Sequence, residues 1–342
     1  MQKISIHQYL VDKDHLSLID VRSPIEYDKG HIPGAINLPL FTDDERAEIG
    51  TIYKKKGQEK AIDKGLGIAG SKMQSYVDDL KMRCPEREIA IHCWRGGRRS
   101  ESMAWLFSFV GYKVYLIEKG YKAYRNYIHK MMGKESLDLC VLGGHTGSGK
   151  TEILHELRDK GEQVIDLEAI ANHKGSAFGA IDQTAQPSTE YFENLLYDEL
   201  RKLDYSKRIW VENESKGIGR IFIPDAFWQK MKAAPLIHLE INKSERARYL
   251  SKHYGRYDDN QLVRSFELIK KRLGGLAFKQ AVQCVAEKDY QSAAEIALRY
   301  YDKTYKHGLD VNKSPHISIL EYEKIDPTKI SKEILAYVNN RR

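Results

Sequence analysis

A chain of 342 residues, 42% hydrophobic and 30% charged, has an ordinary globular composition and more length than one core usually takes, so two domains are expected. No apolar run approaches a membrane span, no repeat or low-complexity tract occurs, and Met1-Gln2-Lys3-Ile4-Ser5 opens no signal-peptide core. A helical membrane protein and a fibre are thereby excluded and the cytoplasm is the expected compartment; the net charge of +7 is a mild excess that leaves nucleic acid open.

Leu18-Ile19-Asp20-Val21 reads as a strand, stopped by Pro24. A turn at 31–35 leads into a short strand over 36–38, and a long helical stretch runs from Asp43 to about Leu80 with its glycines clustered at 57–70. A buried strand over 89–92 delivers Cys93, a helix over 100–110 follows, and 114–117 is one more strand. Short apolar strands alternating with helices predict an α/β unit with a mostly parallel sheet. The polar helical stretch 121–134 reads as a connection, which sets a first domain at 1–130 and a second at 131–342. The second opens with a strand over 137–142, continues with strands at 163–167, 208–212 and 236–241 with helices between them, and ends in a largely helical part.

Between the strand at 137–142 and a helix from Lys150 lies Gly144-His145-Thr146-Gly147-Ser148-Gly149-Lys150-Thr151, a complete phosphate-binding loop in its confirming context. The glycines let backbone N–H groups turn around an anion, the helix adds the positive end of its dipole, and Lys150 adds a point charge. Thr151 is placed to ligate Mg²⁺ if a nucleotide binds. The strand best placed for a metal-binding carboxylate ends in Glu212-Asn213-Glu214 in place of the usual Asp, which counts against nucleotide hydrolysis.

Cys93-Trp94-Arg95-Gly96-Gly97-Arg98 also joins a strand to a helix. Helix-terminal N–H groups with Arg95, Arg98 and Arg99 favour a thiolate on Cys93. Cys84, Cys140 and Cys284 lack such surroundings and read as packing residues; four scattered cysteines make neither a zinc site nor a disulfide framework. The loop, followed by Ser100, resembles the active loop of the rhodanese sulfurtransferases. So do Ile19-Asp20-Val21-Arg22 and Gly30-His31-Ile32-Pro33-Gly34-Ala35-Ile36-Asn37, and the resemblance covers roughly residues 1–125. Related phosphatases use a loop one residue longer, so the shorter loop here favours a persulfide or perselenide on Cys93.

A rhodanese unit followed by a phosphate-loop unit resembles the tRNA 2-selenouridine synthase family. The stretch from Glu45 to Lys54 is similar to that family's insertion and Gly120-Tyr121-Lys122-Ala123-Tyr124-Arg125 to its linker. The match continues through residues 166–179, Gln186-Pro187-Ser188, Phe192-Glu193-Asn194 and Val211-Glu212-Asn213-Glu214-Ser215. The fold implied is a rhodanese-like parallel-sheet domain followed by an α/β phosphate-loop domain of NTPase type with a helical C-terminal part.

The activity implied is a two-step modification of the wobble uridine of tRNA. A geranyl group from geranyl diphosphate is placed on the sulfur of 2-thiouridine, and selenium from selenophosphate then replaces the geranylated sulfur. The partners implied are tRNA carrying 2-thiouridine and an enzyme that supplies selenophosphate, with no membrane. Beyond the two substrates no prosthetic group and no resident metal is expected, Mg²⁺ being admitted.

Catalysis then falls to Cys93, Arg95 and Arg98, with Cys93 either carrying selenium as a perselenide or helping to expel the geranyl thiol. Gly144, Thr146, Gly147, Ser148, Gly149, Lys150 and Thr151 cradle the diphosphate. Glu168, His173, Lys174, Ser176 and Glu212 are further candidates for substrate contact, with Asp166 and Gly179 beside them. Phe178, Tyr191, Phe192, Phe227 and Trp228 are aromatic candidates for a geranyl groove. The stretch 243–279 interleaves Arg246, Arg248, Arg256, Lys270, Lys271 and Arg272 with Tyr249, Tyr254, Tyr257 and Phe266, a pattern suited to phosphates and unpaired bases and so to tRNA. Two rivals remain open: an ATP-dependent kinase or sulfur-activating enzyme, and a phosphate-loop protein that uses its rhodanese unit only for docking.

Overall fold

The capping box of Ser5, the Pro24 start and the buried apolar runs of the first third define β1 (Gln2–Ile4), α1 (Ile6–Asp12), β2 (Ser17–Asp20), α2 (Pro24–Lys29), β3 (Ile36–Asn37), α3 (Asp43–Gly70), α4 (Met73–Arg83), β4 (Glu88–His92), α5 (Arg98–Phe109), β5 (Lys113–Ile117) and α6 (Gly120–Lys134). The computed structural model describes residues 1–134, 136–310 and 316–340. The chain divides into two compact units, Met1–Lys134 and Glu135–Arg342.

In the first unit the strands form one parallel sheet in the order β1-β5-β4-β2-β3. β4 is buried along almost its whole length because helices cover both faces, which is why it reads as a continuous apolar run without alternation. The expected long helix is two: α3 kinks at Gly57 and ends at Gly70, and α4 follows. The polar stretch 121–134 is more than a connection. α6 buries Tyr121, Tyr124, Ile128 and Met132, a stripe at helical spacing beneath a polar exterior.

The second unit contains β6 (Leu139–Gly144), α7 (Lys150–Asp159), β7 (Gln163–Ile165), α8 (Leu167–Ala171), α9 (Thr189–Leu200), β8 (Ile209–Glu212), a small hairpin of β9 (Gly217–Ile218) and β10 (Ile221–Phe222), α10 (Asp225–Ala233) and β11 (Leu236–Ile241). Four helices follow: α11 (Lys243–Tyr254), α12 (Asp259–Leu273), α13 (Gly275–Ala286) and α14 (Tyr290–Asp310). β12 (Ile317–Tyr322) and α15 (Pro327–Asn339) complete it. The sheet is parallel, in the order β12-β11-β6-β8-β7, so the strand that carries the phosphate loop is central.

Two readings change. The strand expected over 163–167 stops at Ile165, because Asp166 caps α8 by accepting a hydrogen bond from the Ala169 N–H at 2.8 Å. The C-terminal part is not helical throughout: β12 adds an edge to the sheet, and α15 places Ile330 and Ile334 in the core beneath α7. α12, α13 and α14 enclose a second, separate apolar core around Leu262, Phe266, Ala281 and Ala297.

Candidate active sites

Cys93 follows β4 directly, and the loop after it ends at the N-terminus of α5. The thiol is 3% exposed and accepts a hydrogen bond from the Ser100 hydroxyl at 3.2 Å. Beneath the loop, the first N–H groups of α6 donate to it: Tyr121 N–H to the Cys93 carbonyl and Lys122 N–H to the Trp94 carbonyl, both at 2.9 Å. These N–H groups lack partners inside their own helix, so helix and loop satisfy each other. Gly120 makes the approach possible. Its φ is +53°, and a Cβ there would lie 2.1 Å from the Cys93 carbonyl oxygen.

Arg95 and Arg98 are exposed at the rim of this loop, open to an anionic substrate. Arg99 is committed elsewhere, to Glu26 at 2.5 Å. Burial works to raise the Glu26 carboxyl, and the bond from Arg99 outweighs it, so Glu26 stays below the usual carboxylate range. A buried group that the sequence reading left without a role lies behind the cysteine. Arg22 grips Asp20 at 2.6 Å, donates to the Gly30 carbonyl at 2.8 Å and stacks 3.9 Å from the Tyr121 ring. The Ile19-Asp20-Val21-Arg22 segment was the available signal. His92 completes the buried group 3.8 Å from Asp20, and burial holds its ring below the usual histidine range.

In the second unit the loop from Gly144 to Thr151 joins β6 to α7 at the carboxyl edge of the sheet, where ligands of such folds bind. Ser148 and Gly149 are buried, while Thr146, Gly147, Lys150 and Thr151 are half-buried. Lys150 Nζ donates to the Gly144 carbonyl at 3.0 Å, folded back over the loop that it would share with an anion. Gly147 has φ of +80°, and a Cβ there would lie 2.8 Å from Leu250 Cγ of α11, so that helix closes on the loop.

Carboxylates gather beside Lys150 and Thr151. Thr151 Oγ1 donates to Glu168 at 3.2 Å, the Glu168 N–H donates to Glu212 at 2.8 Å, and Glu214 shares a hydrogen bond with Glu168. Burial pushes Glu214 up to about 7, with repulsion from Glu168 adding to it. Burial and then Asp166 push Glu212 well above its ordinary value. Burial likewise raises Glu168, with Lys150 opposing. Glu212 does not face solvent: it is 3% exposed, and its Oε2 has no hydrogen-bond partner. The Asp166 carboxylate is held by the Ala169 N–H at 2.8 Å and by His155 at 2.9 Å, close enough to oppose the charge on Glu212.

His173, Lys174, Ser176 and Gly179 lie in the turn after α8. His173 is buried, its Nδ1 has no hydrogen-bond partner, and burial lowers its affinity for a proton. Gly179 packs against the His173 ring. Lys174 extends over the Tyr257 ring at 5.6 Å, and Ser176 accepts from the Phe178 N–H at 3.1 Å. Among the aromatic groove candidates, Phe192 and Phe227 are wholly buried and Trp228 stacks under Lys232 at 3.9 Å.

The basic stretch separates into two kinds of residue. Arg246, read as a tRNA contact, is 3% exposed; it makes two 2.9 Å bonds to Asp302 and donates to the Ile241 and Thr146 carbonyls. It braces the phosphate loop and offers nothing to a polyanion. Arg248 is bound to Glu245 at 2.6 Å but half-exposed, and Arg256, Lys270, Lys271 and Arg272 are exposed. The Tyr254 side chain lies outside the described residues. His145, His238 and Glu240 bring ligand atoms within 4.8 Å of one another, the one such metal-capable group among the described residues. The Arg246 cation beside them, which depresses His145 after burial has done so, makes this an ion-pair network rather than a cation site.

A rhodanese-type cysteine-loop unit joined in one chain to a phosphate-loop unit is the class that the fold and the two sites define. Residues 5–127 match the rhodanese-like domain family, and residues 137–328 match the family described as the tRNA 2-selenouridine synthase AAA domain. The chain is 33% identical over 335 residues to the tRNA 2-selenouridine synthase of Sulfurovum sp. (strain NBC37-1), covering 87% of this chain and 90% of the relative. It is 33% identical over 355 residues to that of Bdellovibrio bacteriovorus, covering 90% and 92%. The chain belongs to the tRNA 2-selenouridine synthase family. Among the described residues no helix is long and apolar enough to cross a membrane.

Proposed function

We propose that this enzyme converts the wobble 2-thiouridine of tRNA to 2-selenouridine in two steps. The observation that carries the reading is the pairing, in one chain of this family, of a phosphate loop flanked by raised carboxyls with an intact cysteine loop. In the first step the thiouridine sulfur attacks C1 of geranyl diphosphate. The C–S bond forms as the C–O bond breaks, and diphosphate leaves with the electron pair. Backbone N–H groups of residues 144–149 and Lys150 stabilise the charge that develops on it.

The oxygen donors around the loop suit Mg²⁺: the Thr151 hydroxyl, Glu168, and Glu212 with its unpartnered Oε2. When bound there, Mg²⁺ would supply charge neutralisation for the departing diphosphate. Without a cation, carboxylates so close to the diphosphate repel it, and their raised affinity for protons lessens that repulsion.

In the second step selenium replaces the geranylated sulfur. Electron balance favours the displacement role for Cys93. Moving selenium from selenophosphate onto the thiolate as a perselenide would release phosphite, whereas displacement at C2 changes no oxidation state. Cys93 therefore adds to C2 as the geranyl thiolate departs, selenium of selenophosphate then displaces Cys93, and water cleaves the P–Se bond to give phosphate. Arg95 and Arg98 at the loop rim hold the selenophosphate anion.

Mass spectrometry of nucleosides from 2-thiouridine tRNA, incubated with geranyl diphosphate and then selenophosphate without ATP, tests the reading. S-geranyl-thiouridine followed by selenouridine is expected, with Cys93→Ala stopping at the geranylated stage. Modification only in the presence of ATP would replace this reading with the ATP-dependent rival. Selenium bound to the protein in the absence of tRNA would restore the perselenide route.

A further inference from the structure

The Ser100 hydroxyl has one proton and two acceptors. Ser100 is wholly buried in the first turn of α5. Its Oγ lies 3.1 Å from the Gly97 carbonyl oxygen and 3.2 Å from Cys93 Sγ. A bond from a helical serine to the carbonyl three residues back is ordinary. In this chain Ser71, Ser75, Ser102, Ser251 and Ser331 make it too, at 2.8–3.1 Å. Those bonds serve the local backbone. Ser100 differs in having the reacting sulfur as its other choice, and one proton serves one acceptor at a time.

Which acceptor wins depends on the charge of the sulfur. A thiolate attracts the hydroxyl more strongly than a carbonyl does, because the bond is charge-assisted. A sulfur bonded to two carbons is only a weak acceptor, as in a thioether. The hydroxyl therefore faces Sγ when Cys93 is ionised, and Gly97 when Sγ is bonded to C2 of the uridine. Arg95 and Arg98 are exposed at the loop rim and Arg99 is held by Glu26. Ser100 is thus the side-chain hydrogen-bond donor to the sulfur among the described residues.

In the displacement sequence Cys93 loses its charge once and regains it once. It loses the charge when the Sγ–C2 bond forms and the geranyl thiolate departs with the electron pair of its own bond to C2. It regains the charge when selenium of selenophosphate bonds to C2 and the C2–Sγ bond breaks, its electron pair returning to Sγ. A donor to the charged sulfur resists the first change and assists the second, since only an interaction that strengthens on the way to the transition state speeds a step. We infer that Ser100 is a catalytic residue for the second change: turning from Gly97 onto Sγ as the C2–Sγ bond breaks, it makes Cys93 a competent leaving group. The inference rests on the displacement reading of Cys93 and names the residue that releases the product from it.

The test follows the adduct. The full chain, mixed with tRNA carrying S-geranyl-thiouridine but no selenophosphate, is expected to form a covalent Cys93–tRNA species that persists on a urea gel without added thiol. Selenophosphate should then discharge it as selenouridine. Given the worth of a hydrogen bond to a charged group, Ser100→Ala should form the adduct within about threefold of the wild-type rate and discharge it about ten- to a hundredfold more slowly. Ser100→Thr, which keeps a hydroxyl, should restore discharge. Ser102→Ala removes the same kind of backbone bond from the same helix and should change neither rate. Ser100→Gly carries the test if Ser100→Ala does not fold. Discharge at the wild-type rate without the hydroxyl overturns the assignment and leaves displacement standing. Equal slowing of formation and discharge marks a disturbed loop rather than a missing donor, and overturns it too. A wild type that forms no adduct overturns both the assignment and the displacement reading.

Discussion

Replacing Gly120 by alanine should damage the cysteine loop without touching a reactive group. An alanine held at φ of +53° costs about 1–2 kcal/mol in backbone strain. The new Cβ would also stand 2.1 Å from the Cys93 carbonyl oxygen and 2.6 Å from the Gly96 nitrogen, both backbone atoms that no rotamer change can move aside. Forcing the loop away adds about 1–3 kcal/mol, by analogy with overpacked cores. Gly34 supplies the control. Its φ is +80° and nothing lies within 4 Å of an added Cβ, so Gly34→Ala carries the strain without the collision. Gly120→Ala should therefore destabilise the first unit by about 2–5 kcal/mol and Gly34→Ala by about 1–2. Hydrogen exchange of peptides within 1–134, read by mass spectrometry across a urea series, gives the opening free energy of that unit alone. Alkylation of Cys93 should quicken in Gly120→Ala only, since the displaced loop uncovers a thiol that is now buried. Equal losses in the two variants would refute the claim that α6 and the loop are pressed together at Gly120.

Other outcomes follow from the charges. Glu214 titrates near 7 in the folded chain against an ordinary 4.5. Its folded state thus binds the extra proton, and stability present below the ordinary value should fall as pH rises from 5 to 8, by up to about 3 kcal/mol. Urea midpoints of Glu214→Gln should show a flatter pH dependence than the wild type, and parallel curves would count against the burial argument. Asp20→Asn leaves Arg22 as a buried cation without its carboxylate and should cost about 3–5 kcal/mol at neutral pH, visible as a lowered urea midpoint. Burial opposes the Asp20 charge, but His92 and Arg22 outweigh it and hold the carboxyl below its usual range, so this stability is present above the ordinary carboxylate value and fades as acid reaches the lower folded one. Arg256→Glu with Lys271→Glu should weaken tRNA binding and reduce the salt slope by about one for each phosphate no longer neutralised. An unchanged slope would remove this exposed face from the tRNA site.

The two glycine-rich loops were legible because each is local. A strand, a turn of glycines and a helix lie consecutively in both, so spacing alone reports the geometry. The Glu168–Glu212–Glu214 group was half legible: the strand end was marked, but its meeting with Glu168 depends on β8 pairing beside β7. Arg246 was misread because burial is not written in local composition. It sits in the same basic pattern as Arg248, and the aspartate that claims it lies 56 residues further along the chain. β12 was missed for a related reason. Its neighbour β11 is separated from it by four helices, and Ile317 and Ile319 on its exposed face blur the buried-strand signal.

That separation makes the helical layer an insert between two strands that are hydrogen-bonded neighbours. A parallel crossover needs only about a dozen residues, far fewer than the 242–316 that lie between β11 and β12. The insert can in principle be exchanged or shortened as a cassette, provided the chain still returns to lay down β12. A truncation before Ile317 is a different operation. It would strip β11 of one neighbour and leave a row of unpaired backbone groups along an apolar strand, an open template for aggregation.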